Sequence, residues 1–168
     1  FGCWKRDVFD KYGVYDERLI RNQDIELNKR IVRGGGHIYI VPDTYCVYLA
    51  RETFKGVAKN NFGNGKWNIL TVYYTKQMKS LSIRHFVPLL FLLSLIVPLV
   101  MMLFYFPAVI ISLTSLLLYL ISISVISLSL SLKKKLCFSY LMMTFVVLHL
   151  SYGWGSLNGI ISVLKYGK

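Results

Sequence analysis

A chain of 168 residues with 20 Lys and Arg against 8 Asp and Glu, a net charge of +12, is basic, but its charge and apolar content are unevenly spread. All eight acids and fifteen of the basic residues precede Phe86, whereas the remainder holds five Lys and neither an acid nor an Arg. Cations interleaved with carboxylates argue against a nucleic-acid surface. Three cysteines, Cys3, Cys46 and Cys137, far apart and odd in number, argue against a disulfide framework or a zinc site.

The first residues, "FGCWKRDVF", have neither the basic n-region nor the apolar h-region of a signal peptide, and a further portion is expected upstream of Phe1. Residues 6–11 then read as a short helix closed by Gly13, followed by a polar loop bearing Asp16 and Glu17. Asn22 is placed to cap a second helix over 24–33. Asp24 and Glu26 in its first turn and basic residues near its end complement the helix dipole. Leu27 and Ile31, with Ile25 and Val32, form its apolar stripe. Glu26 is expected to be solvated or paired with Arg30 four residues on.

The run Gly34, Gly35, Gly36 predicts a left-handed helix end. The alternation in "HIYIVPDTYCVYLA" predicts one or two strands interrupted at Pro42, and a further helix is expected over 52–61. The fold class expected for residues 1–85 is therefore α/β.

Residues 86–106 are uncharged and long enough to cross a hydrocarbon core of about 30 Å. After Pro107, residues 108–132 read as a second span, whose repeated serines can bond back to their own helix or across to a neighbour. A third apolar run, beginning at Leu136, is too short alone and continues through a Gly-rich stretch to about residue 164, either as one helix or as a segment that dips and returns. Together, residues 86–168 are expected to form an all-α membrane anchor of two or three transmembrane helices. Lys76, Lys79 and Arg84 before the first span, and Lys133, Lys134 and Lys135 after the second, put residues 1–85 on the cytoplasmic side of a cell membrane. The Lys triplet is also expected to touch lipid head groups.

The ordered segments "GCWKRDVFDKYGVYDERL", "NQDIELNKRIVRGGGHIYIVPD" and "YLARETFKGVAKNNFGNGKW" resemble the second half of the catalytic domain of glycosyltransferase family 2 (GT-A), in particular the membrane-bound bacterial enzymes of exopolysaccharide synthesis. The segment "HLSYGWGSLNGI" resembles the tail of the succinoglycan-type members. The resemblance implies transfer of one sugar, with inversion, from a nucleotide-sugar donor to a polyprenyl-linked acceptor. It puts Asp24 in the position of the catalytic base, with Gln23 beside it and Asp16, Glu17 and Gln23 near the acceptor.

A carboxylate suits that role because it takes the proton from the acceptor hydroxyl as that oxygen attacks the anomeric carbon, and a helix start keeps it ionised and oriented. The family also implies a divalent metal, Mg or Mn, on the donor diphosphate, but its Asp-x-Asp motif occurs nowhere in this chain and belongs to the half that would lie upstream. The Gln-x-x-Arg-Trp of polymerising members is replaced by "NNFGN", Asn60 to Asn64, which favours single-sugar transfer. Lys59, Lys66 and Trp67 are expected to anchor the chain at the membrane interface. The alternative reading is a non-enzymatic membrane protein, a degenerate remnant or a partner subunit, in which Asp24 is only a helix-start residue.

Overall fold

The computed structural model describes residues 2–77 and 83–166. Its helices are α1 (Arg6–Tyr12), α2 (Gln23–Arg33), α3 (Phe54–Thr75), α4 (Val87–Met101), α5 (Val109–Lys134) and α6 (Phe138–Tyr166), with single 3-10 turns at Ile83–His85 and Phe106–Ala108. Among the described residues no strand forms, so the α/β expectation for the first half is overturned: the chain is all-helical there too. Residues 37–51 form neither helix nor strand, turn at Pro42 and Asp43, and have no strand partner among the described residues. Ile40 is 92% and Tyr45 93% exposed, and the contacts within the segment are local ones: a Thr44 hydroxyl donating to the Val41 carbonyl, a ring contact between His37 and Tyr39 and Arg51 on Tyr48. Alternating hydrophobicity specifies a strand only where another strand supplies the ladder bonds. No such strand exists among these residues.

The N-terminal unit is held by a few side chains. Gly13, at φ +80, ends α1, and its amide bonds the Phe9 carbonyl. Gly35, at φ +81, and Gly36 end α2, with their amides on the carbonyls of Val32 and Ile31, the paired closure that a glycine-rich helix end predicts. Leu19, Leu27 and Ile31 are buried and form its small core. Arg30 fastens α2 to the end of α1 by donating to the carbonyls of Tyr12 (2.7 Å) and Val14 (3.0 Å). Its guanidinium also forks onto Glu26. Glu26 is not solvated but buried, at 6% exposure, and the i+4 pairing with Arg30 is present.

Helix α3 starts where Thr53 accepts a bond from the Gly56 amide (3.1 Å), a cap contributing about 1 kcal/mol. It runs to Thr75, well past the expected end near residue 61, straight through Gly63 and Gly65. Packing explains the persistence. A Cβ on Gly65 would lie 2.1 Å from the Tyr152 carbonyl oxygen, and one on Gly155 would lie 2.0 Å from the Phe62 carbonyl oxygen. Helices α3 and α6 therefore run side by side, backbone against backbone, with Gly155 and Gly159 of α6, spaced G-x-x-x-G, facing Phe62 and Lys66 of α3. Small residues at that spacing are what close helix approach requires. Each helical glycine costs about 1 kcal/mol in propensity, and the interface offsets it.

The segment beginning at Leu136 resolves into one continuous helix, α6, rather than a dipping loop. Helices α4 and α5 form an antiparallel hairpin tied by Ser94 to Ser115 (2.6 Å) and by the Ser112 hydroxyl to the Leu95 carbonyl (2.8 Å). Both serine roles expected from sequence occur, since Ser122 bonds back to Leu118 of its own helix. α6 crosses this hairpin where Gly153 meets the Pro88 carbonyl and where the Tyr119 hydroxyl meets His149 Nδ1 at 3.1 Å.

The expected anchor of two or three spans is also corrected. One helical segment among the described residues, Phe106–Lys134, is long and apolar enough to cross a membrane. It runs from the Pro107 turn to Lys133 and Lys134. α4 has 15 residues, about 22 Å at 1.5 Å per residue, short of the hydrocarbon thickness. α6 is long enough, but His149, Ser151, Tyr152, Asn158 and its glycines dilute its hydropathy, and one of its faces is spent on α3. Lys79, one of the basic residues used to orient the chain, lies outside the described residues.

Candidate functional site

The loop before α2 is built onto α3 by three side chains in succession. Arg18 donates to the Tyr74 carbonyl (3.3 Å). Arg21 donates through one nitrogen to the Asn64 amide oxygen (2.7 Å) and the Asn60 carbonyl (3.2 Å). Asn22 donates to Asn68 Oδ1 (2.7 Å) and Thr71 Oγ1 (3.3 Å), and Asn68 in turn donates to the Tyr152 hydroxyl on α6. Leu19, fully buried, pins the loop from beneath. The side chain of Asn22 does not cap α2 as its position in the sequence predicts. Instead the residue turns the chain at φ 65, a left-handed conformation that asparagine tolerates well, and its side chain is spent on α3.

The result is a polar cleft of about 560 Å³ between the start of α2 and the first turns of α3. Asp24 and Gln23 line it, with Arg21, Arg51, Asn60, Asn64 and Tyr15. Asp24 is exposed in the first turn of α2. Gln23 is half-buried, its amide donating to the Leu19 carbonyl. Arg51 donates to the Tyr48 hydroxyl (2.5 Å) and lies over that ring. Tyr15 is set by edge-on contact with Trp4 (5.8 Å).

The remaining residues predicted from sequence are placed differently. Asp16 does not line the cleft: its carboxylate is taken by Arg18 through two bonds of 2.9 and 2.8 Å. The Arg18 hydrogen bond holds the Asp16 carboxyl below its ordinary value. Glu17 is exposed and outside the cleft. Residues that sequence reasoning passed over are Tyr15, Arg21 and Arg51. Only the register of "NNFGN", Asn60 to Asn64, had drawn attention to this stretch of the wall. Gly63 is part of that wall, because a Cβ there would press on the Arg21 guanidinium at 2.9 Å.

The cleft thus presents one carboxylate, two guanidinium groups and the side-chain amides of Asn22, Gln23, Asn60 and Asn64, a set suited to a ligand with hydroxyl and anionic oxygens. Among the described residues no three of His, Cys, Asp and Glu come together. The metal that the family resemblance implies would be held by the Asp-x-Asp motif, which this chain lacks. Compared with protein-family models, with curated proteins and with solved structures, the chain matches none.

Proposed function

We propose that this chain carries the acceptor side of a membrane-associated glycosyl transfer of the family 2 kind, in which one sugar passes from a nucleotide-sugar donor to a polyprenyl-linked acceptor with inversion. The observation that supports it is the composition of the cleft wall: Asp24, in the base position of the family pattern, shares one open cleft with Arg21 and Arg51. In this reading the Asp24 carboxylate takes the proton of the acceptor hydroxyl as that oxygen bonds the anomeric carbon. The glycosyl–phosphate bond breaks on the opposite face, and the nucleoside diphosphate leaves with its charge facing the guanidinium groups. Gln23 orients the acceptor beside Asp24. The apolar Phe106–Lys134 segment keeps the cleft near the bilayer from which a lipid-linked acceptor is drawn.

The test is Asp24→Asn in the protein as it occurs in its source membranes, supplied with radiolabelled nucleotide sugars, with label counted in the organic-extractable lipid. Loss of a general base lowers turnover by about 10²–10⁴-fold, so transfer should fall by that factor while donor binding persists. Equal transfer by the Asn variant and the parent would dismiss Asp24 as the base. No lipid-linked label from the parent with any donor would favour the non-enzymatic membrane protein.

A further inference from the structure

A second groove lies on the other side of α3. Lys55, Lys59 and Phe62 face it from α3, Leu92 from α4, and Leu150 and Trp154 from α6, around a volume of about 680 Å³. Its walls are almost wholly apolar; Lys55 and Lys59, one turn apart at the start of α3, line it with their methylene stems, and Ser151 lines it from α6. Both lysines are exposed, and neither is paired with an acid among the described residues. Lys55 and Asn64, which face the two cavities, are about two and a half turns apart at 3.6 residues per turn. The groove and the polar cleft therefore lie on opposite flanks of one helix.

We infer that this groove holds an acyl chain of an anionic glycerophospholipid of the surrounding bilayer, with its headgroup phosphate between Lys55 and Lys59. Three features select that occupant. Four large apolar side chains form a trough of the size of ordinary small-molecule sites. Two exposed lysines that line the groove carry their charge in the first two turns of α3, where the helix dipole adds to their attraction for phosphate. Trp154, 54% exposed, sits at the rim as an indole does at a membrane interface. The α4–α5 hairpin that supplies Leu92 also contains the membrane-crossing candidate, so the groove opens beside bilayer rather than bulk water. A phosphate held here is separated from Asp24 by the body of α3, about 10 Å across. The occupant is a resident lipid and not the sugar acceptor, and the inference stands independently of the transferase reading.

The experiment is to reconstitute the full chain in mixed vesicles of equal phosphatidylglycerol and phosphatidylcholine, extract it in mild detergent, and count retained lipids by native mass spectrometry. One phosphatidylglycerol per chain should be retained in preference to phosphatidylcholine. A lysine at a membrane surface is worth about fivefold in affinity for anionic lipid, so Lys55→Gln with Lys59→Gln should lower that retention by roughly 25-fold. Ala58→Trp, which fills the groove, should expel the lipid while leaving the helical circular dichroism unchanged. Equal retention of the two lipids would overturn the proposal. So would an equal loss from Lys133→Gln with Lys134→Gln, an exposed pair outside the groove, because the effect would then be general surface charge.

Discussion

Replacing Gly155 with Ala tests whether α3 and α6 meet backbone to backbone. Intrinsic propensity favours the change by about 1 kcal/mol, since Ala is the better helix former. The tertiary structure opposes it. The new Cβ would stand 2.0 Å from the Phe62 carbonyl oxygen and 2.8 Å from its carbon, where carbon and oxygen normally approach no closer than about 3.3 Å. Helix α6 must retreat by roughly 1.3 Å, and a gap of 0.5–1 Å already forfeits about a quarter to a half of each dispersion contact along the seam. Overpacking of this kind costs about 1–3 kcal/mol, and the upper part of that range applies because the obstacle is backbone. The net expectation is a loss of about 1–2 kcal/mol.

Gly159→Ala is the internal comparison. Its Cβ would be 2.8 Å from the Lys66 carbonyl oxygen, so a smaller retreat suffices and the net change should be near zero. Gly65→Ala meets the Tyr152 carbonyl oxygen at 2.1 Å and should resemble Gly155→Ala. The two together should cost less than their sum, because the first substitution already separates the helices. Reversible unfolding in mixed micelles with increasing dodecyl sulfate, followed by far-ultraviolet circular dichroism, reads all four variants. A Gly155→Ala protein as stable as the parent, or more so, would refute the close packing.

Two further expectations concern the N-terminal unit. Arg30→Ala removes both arms from the buried Glu26 carboxylate, leaving Arg33 at 4.0 Å, and frees the carbonyls of Tyr12 and Val14. A buried charge that loses its partner costs about 3–5 kcal/mol. Arg30 is itself partly exposed, so about 2–3 kcal/mol is expected, read as faster hydrogen exchange across α2. Asp16 supplies a pH dependence of defined sign. Its carboxyl lies below the usual 3.8 because it accepts from Arg18; a depressed folded-state value gives stability that is present above about pH 4 and lost as pH falls through the folded value. In Asp16→Asn the thermal midpoint should fall less steeply with acid than in the parent, and identical acid profiles would remove the Arg18 pairing.

Local features followed from local chemistry. Gly13 and Gly35 end α1 and α2 because each sits at a φ near +80, a conformation that side chains disfavour wherever the residue occurs. The Glu26–Arg30 pair needs only the i, i+4 spacing, and the apolar run of α5 needs only its own length and composition. Asp24 and Gln23, neighbours in sequence at one helix start, were bound to share a surface.

What the tertiary structure decided were the properties that depend on a partner distant in the chain. The alternation of residues 37–51 could not state that no strand lies beside it among the described residues, so a pattern fit for a sheet stays unpaired. Gly63 and Gly65 read locally as helix breakers, and only the Arg21 guanidinium packed on the first and the α6 backbone packed on the second explain why α3 continues through them. Arg21 and Arg51 are 30 positions apart in a basic chain and carry no local mark. They become one cleft wall because Asn60 and Asn64 hold the first of them against α3, beside Arg51, which lies three residues before that helix begins.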